Sequence, residues 1–178
     1  MLSRYEAVSE KEWAFVVGAK GRPEIASPPS ALRFNLSNTS GLVVCAITHG
    51  LDVGVDVESL SRPAPIDVAD RFFAPSEVRV LRALPPEEQA RRFFELWTLK
   101  ESYAKARGLG LALPLDRYWF TLEPFRQPRL EIDPLLSDNA DAWCFAQLQP
   151  TSGHLIAVCA HRSGGAGNTI SLSWHRFD

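Results

Sequence analysis

Apolar residues along this chain recur with two periods, and the switches between them mark out the elements. Near the start, Ser9 followed three residues later by Glu12 forms a capping-box pattern, and Trp13, Phe15 and Val16 then supply the apolar face of a short helix. Residues 21–30, with three prolines, read as a loop. Alternation with a period of two then predicts strands over residues 32–36, 42–48 and 52–58, two of them pairing as a hairpin, with Gly50 in the turn before the third. Over residues 66–84 the spacing becomes helical, with Pro75 suited to a first turn, and Leu84-Pro85-Pro86 marks a boundary. Residues 88–107 hold the longest helical pattern, closed by Gly108 and Gly110. The period of two returns over residues 118–122, 129–132, 143–148, 155–161 and 170–174, with Gly, Pro, Asp or Asn between the runs. Strands and helices in this order favour an α+β class over a doubly wound α/β sheet. The boundary at Pro85 divides the chain into an N-terminal half, residues 1–85, and a C-terminal half, residues 86–178.

Composition narrows the function classes. With 178 residues, 46% of them apolar, the chain can bury a core as one domain or two small packed lobes. The longest apolar runs, residues 42–47 and 155–160, are far too short to cross a bilayer, so no membrane role is expected. Charged residues Arg4, Glu6, Glu10, Lys11 and Glu12 interrupt the first twelve positions, which excludes a signal peptide there and implies a cytoplasmic protein. Cys45, Cys144 and Cys159 are odd in number and sit among apolar neighbours, as buried reduced thiols do. The net charge of -2 offers no general attraction to nucleic acid, and an acidic partner has to find a local basic patch. Residues 71–92 provide one, with Arg71, Arg79, Arg82, Arg91 and Arg92 against Glu77, Glu87 and Glu88. The four histidines show no pair at ligand spacing.

Two segments carry the chemistry. In Asp52-Val53-Gly54-Val55-Asp56-Val57-Glu58 the valines take one strand face and Asp52, Gly54, Asp56 and Glu58 the other. This face is either a solvated acidic surface or a pair of hard oxygen ligands. Gly54 favours the second, because glycine within a strand often marks the close approach of a ligand or another backbone. In the long helix, Ala90, Phe93, Phe94, Trp97 and Ala104 share a stripe, and Glu101 falls inside it beside Trp97. A carboxylate is thereby aimed inward, to be neutralised by Lys100 or Lys105 or to serve a site. Three carboxylates with two lysines suit magnesium and a diphosphate substrate, since magnesium keeps several waters and is held by few carboxylates plus phosphates.

GVDVE at residues 54–58, followed about forty residues later by WTLKESYAK at residues 97–105, resembles the paired signature of phosphopantetheinyl transferases of the surfactin-synthetase-activating type. The likeness extends through GRPEI at 21–25, FNLS at 34–37, RFF at 71–73 and GL with LPLD between residues 110 and 116. It implies two similar α+β halves about a pseudo-twofold axis with the site between them. It also implies transfer of 4'-phosphopantetheine from coenzyme A to a serine of an apo acyl or peptidyl carrier protein by a monomer. Asp56, Glu58 and Glu101 would bind Mg2+, and Glu101 would also take the serine proton. Lys100, Lys105, Ser37 and Asn38 would meet the coenzyme A phosphates, and Arg22 with Pro23 its adenosine end.

The chain departs from that pattern in three places. Asn38 stands where the family has a histidine, Arg22 replaces a lysine, and the family carries a further strand and helix before the position of Leu2. Two competing readings follow: a carrier-protein-binding homologue with impaired catalysis, and a Mg2+-dependent diphosphate hydrolase.

Overall fold

The computed structural model of the protein describes residues 1–18, 20–162, 171–173 and 175–176. Ile170 and Trp174, which bound the last expected strand, lie outside the described residues. In chain order the elements are β1 (Ala14–Val17), β2 (Pro23–Ser27), β3 (Leu32–Thr39), β4 (Leu42–His49), β5 (Val53–Ser59), α1 (Ala69–Phe72), α2 (Pro75–Ala83) and α3 (Pro86–Arg107), then β6 (Tyr118–Thr121), β7 (Arg129–Ile132), β8 (Trp143–Thr151) and β9 (His154–His161). All strand pairings are antiparallel, and helices cluster in the middle of the chain, so the class is α+β.

The first element corrects the expectation drawn from Ser9 and Glu12. The Ser9 amide does donate to the Glu12 carboxylate at 2.8 Å, but the bond closes a single turn. From Ala14 onward the aromatic and β-branched side chains of Phe15, Val16 and Val17 favour extended backbone, and they pair with β2. The Pro-rich loop therefore contains a strand. Pro23 is tolerated because it sits at the first position of β2.

β3 and β4 form a full hairpin, closed by Ser40-Gly41 with Gly41 at φ +81. β5 instead joins a three-stranded sheet in the order β5-β9-β8, with Val53 opposite Ala160 and Ser59 opposite His154. Apolar side chains lie on both faces of this sheet. On one, Val55, Val57 and Ile156 meet Leu42 and Val44 of β4 together with Leu148 and Val158. On the other, Leu155, Ala157 and Cys159 meet Phe93, Phe94, Leu99 and Tyr103 of α3. The far side of α3 is sealed by Phe73, Leu81, Tyr118, Phe120 and Leu130. Each such large apolar side chain contributes roughly 1.5–3 kcal/mol of burial. α3 is thus enclosed almost all round, with even Thr98, Lys100 and Ser102 buried. Among the described residues no helix is long and apolar enough to cross a membrane.

Gly54 fixes how closely α3 lies on the sheet. A Cβ there would stand 2.0 Å from the Ser102 carbonyl oxygen and 2.4 Å from the Ala106 nitrogen. The neighbour that the glycine admits is thus helix backbone. The approach brings the next two residues on the same strand face, Asp56 and Glu58, alongside the helix that carries Glu101 and Lys105. α3 then stops at Gly108, whose φ of +64 is a left-handed cap.

Candidate active site

The solvated reading of the acidic strand face is overturned, because α3 covers it. Asp56 is buried, and its Oδ1 accepts from Lys105 Nζ at 2.7 Å and from the Ser37 hydroxyl at 3.0 Å. Its Oδ2 is buried with no hydrogen-bond partner. Burial pushes the Asp56 carboxyl upward in pKa, and Lys105 offsets part of that. Glu58 is drawn to Arg62, four residues on, at 2.8 Å. Glu101 is raised by burial and further by the like charges of Asp56 and Glu58. Among the described residues, no hydrogen bond or ion pair holds the Glu101 carboxylate, so neither lysine neutralises it directly.

β3 and β5 lie in separate sheets, yet the β3-facing edge of β5 is satisfied by side chains. The Val55 amide donates to Asn35 Oδ1 at 2.9 Å and the Val57 amide to Ser37 Oγ at 3.3 Å. Lys105 Nζ donates to the Val55 carbonyl at 3.1 Å and to Ser37 Oγ at 3.0 Å, and an Arg22 amine donates to the Val53 carbonyl at 3.2 Å. The result is a splayed junction whose polar groups are also the site's. Asn35 was missed in the sequence; its spacing of two from Ser37 on one strand face is the signal that could have found it.

Two expected coenzyme A contacts, Lys100 at the phosphates and Arg22 at the adenosine end, are engaged within the protein instead. The Lys100 ammonium is fully buried, 2.7 Å from Glu77 and bonded to the Leu115 and Tyr118 carbonyls, so it does not face the carboxylate site. The sequence placed Lys100 beside the apolar stripe but could not show that α2 and β6 close over it. Glu77, counted above among surface charges, is buried with it and also accepts from the amides of Ala74 and Phe120. Burial lowers Lys100 and raises Glu77, while each charge offsets part of the other's shift and the Phe120 and Ala74 amides add to that for Glu77. Arg22 is likewise occupied: its guanidinium reaches the carbonyls of Lys105, Ala106, Phe34 and Val53, capping the end of α3. Pro23 is half-buried at the start of β2, and Asn38 is exposed.

The donor set tests well against a hard divalent cation in chemical type. It offers three carboxylates, one with an orphaned buried oxygen, beside a lysine suited to phosphate. Lys105 and Arg62 engage the other oxygens of Asp56 and Glu58, and among the described residues no three such side chains are drawn together at ligand distance. A cavity of about 2000 Å3 lies elsewhere, against Leu42, Val44, Ala46, Leu148 and Val158, on the sheet face away from α3.

Fold and site together define an α+β protein with a cluster of carboxylates where a strand lies against a helix. A profile of the 4'-phosphopantetheinyl transferase superfamily matches residues 52–159, the stretch from β5 to β9. The chain is 34% identical over 147 residues to a 4'-phosphopantetheinyl transferase of Bacillus subtilis, covering 83% of this chain and 62% of that protein. It is 33% identical to HetI of Nostoc sp., covering 89% and 65%, and 32% identical to Sfp of Bacillus subtilis strain 168, covering 90% and 68%. It therefore spans just under two thirds of the length of the first two of these relatives. Its fold is similar to that of a holo-(acyl-carrier-protein) synthase from Bacillus anthracis, with a TM-score of 0.53 at 16% identity over 64% of this chain and 98% of that one. The chain belongs to the 4'-phosphopantetheinyl transferase superfamily.

Proposed function

We propose that the protein transfers 4'-phosphopantetheine from coenzyme A to a serine of an apo acyl or peptidyl carrier protein, releasing adenosine 3',5'-bisphosphate. The observation that carries this reading is the orphaned Asp56 Oδ2 beside an unpaired, raised Glu101, with Lys105 within reach. Asp56, Glu58 and Glu101 would hold Mg2+, which when bound supplies positive charge to a diphosphate. Glu101 takes the proton of the carrier serine; a raised carboxyl is a better base than an ordinary one. The serine oxygen forms a bond to the β-phosphorus as the bond to the bridging oxygen breaks, and that oxygen leaves with the adenosine bisphosphate. Lys105 counters the charge that builds on the phosphates. Ser37 stands between Lys105 and Asp56, while Asn38, on the other face of β3, and Pro23, next to the Arg22 that caps α3, would be further coenzyme A contacts where the bound molecule extends past this site.

On this reading residues 1–85 and 86–178 act as two halves, each giving one element to the site, β5 from the first and α3 from the second. The protein works in the cytoplasm as a monomer; its three free cysteines suit a reducing compartment. The test is Mg2+-dependent transfer of a fluorescent pantetheine from labelled coenzyme A to apo carrier protein, resolved by mass spectrometry. Coenzyme A cleavage without carrier would replace the reading by diphosphate hydrolysis. Carrier binding without transfer would leave a binding module.

A further inference from the structure

We infer that Lys100 and Glu77 form a positioning clamp that aims Glu101 at Asp56 and Glu58; what Glu101 does there rests on the transferase reading above. The clamp is built from three elements. α3 supplies Lys100, α2 supplies Glu77, and β6 with the turn before it supplies the carbonyls of Tyr118 and Leu115. Glu77 is itself pinned by the Ala74 and Phe120 amides, and the Tyr118 hydroxyl donates back to the Lys100 carbonyl at 3.0 Å. The side chains of Lys100 and Glu77 are 0% and 2% exposed, so this network lies out of contact with solvent.

The reason for assigning it a positioning role is the contrast with its neighbour. Glu101 follows Lys100 directly, and successive helix residues leave the axis about 100° apart. Fixing the direction of Lys100 therefore fixes the direction of Glu101. Glu101 has no bond of its own to aim it among the described residues, so its orientation comes from the rotation of the helix. Apolar side chains of the same volume would fill this space without buried charge, but they permit rotation and sliding that directed bonds to fixed carbonyls do not. A general base displaced by about 1 Å can cost about a hundredfold in rate.

The test compares the wild type with the double variant Glu77→Leu/Lys100→Met, which removes both charges, and with Tyr118→Phe, which deletes one hydroxyl of the same clamp. The double variant removes both charges together but leaves the Ala74 and Phe120 amides and the Leu115 and Tyr118 carbonyls without these partners, so it is expected to fold with a Tm below that of the wild type, and rates are compared well below that Tm. Its kcat for transfer should fall about 10- to 100-fold while KM for coenzyme A and carrier stays within about threefold. Tyr118→Phe should lower kcat several-fold in the same pattern. Crystal structures should show the Glu101 carboxylate displaced by about 1 Å or more in the double variant. Unchanged kcat with an unmoved Glu101 overturns the clamp. If the double variant does not fold, the same two readouts on Tyr118→Phe decide. Absence of transfer by the wild type would sink the transferase reading alone, because the displacement of Glu101 is measured without turnover.

Discussion

Two lysines on one helix, five residues apart, meet opposite fates. Lys100 is fully buried against Glu77, and every group around it is paired. Lys105 is 29% exposed against Asp56, whose second oxygen is left without a partner. The first pair is closed and holds the layers of the molecule in place. The second is open, and beside it stands Glu101, whose carboxylate makes no hydrogen bond or ion pair among the described residues and feels Lys105 only through space. Buried charge alone therefore does not mark a site here. What marks it is charge left unsatisfied where water has been displaced, an arrangement that costs stability and persists where function needs it.

The comparison depends on α3 lying directly on β5, so the largest effect comes from separating them. Gly54→Ala would force the helix backbone away from the strand, since the added carbon meets Ser102 and Ala106 main-chain atoms rather than flexible side chains. A loss of more than about 4 kcal/mol is expected. At this chain length that lowers Tm by about 10 °C or more, read by circular dichroism. A Gly54→Ala protein that melts with the wild type would mean that the close approach is wrong.

Glu101→Gln keeps the shape of the side chain beside the open pair and removes its charge. Transfer should fall about a thousandfold, with Tm unchanged or raised because the repulsion from Asp56 and Glu58 is relieved. The lysines themselves then separate the two roles. Lys100→Met leaves Glu77 buried and uncompensated, a loss of about 3–5 kcal/mol, and lowers Tm by about 10 °C. Lys105→Met should lower Tm by less than Lys100→Met, because Lys105 is partly exposed and water can reach the space it leaves, and it should reduce kcat/KM for coenzyme A about 10- to 100-fold. If the two variants exchanged behaviours, the contrast drawn between them would be reversed.

Much of this was legible in the sequence. The strand at residues 53–59 and the helix at 86–107 could be read because each carries a clean period, and the stripe through Trp97 and Glu101 placed a carboxylate inward. The opening of the chain misled because Ser9 and Glu12 do make their local bond, while the choice between helix and strand is made by pairing with β2, a nonlocal event. Lys100 and Lys105 look equivalent in one dimension. Only the packing of α2 and β6 over α3 shows that one is enclosed and the other open. The same packing removes Glu77 from the surface and leaves Arg82 on Asp67 and Asp70, and Arg91 and Arg92 on Glu95.

What remains of the basic patch is smaller than the residue types suggested. Arg71 lies over the Phe72 ring, and Arg79 stands exposed on α2 beside the exposed Val80. Arg79→Glu should raise KM for an acidic carrier several-fold at low salt and leave KM for coenzyme A unchanged. Equal carrier KM for variant and wild type would move the docking surface away from α2.

The smallest effect concerns the end of β3, where burial changes faces along the strand. Leu32 and Phe34 are buried on one face at its start, whereas Asn35 and Ser37 are buried on the other towards β5. Asn38 therefore shares its face with the exposed Leu36, turned from the side on which Ser37 meets Asp56 and Lys105. Asparagine can donate a hydrogen bond but cannot carry positive charge, so Asn38→His adds a cation at this spot at low pH. A hydrogen bond to a charged group contributes about 1.5–3 kcal/mol, and Asn38 already supplies part of that, so KM for coenzyme A should fall only several-fold. Tm should not move, because Asn38 is exposed. Initial rates across coenzyme A concentrations on both proteins decide the matter. A lower KM would extend the phosphate-binding surface from the Ser37 face of β3 around to the Asn38 face, and an unchanged KM would confine it to the open pair of Lys105 and Asp56.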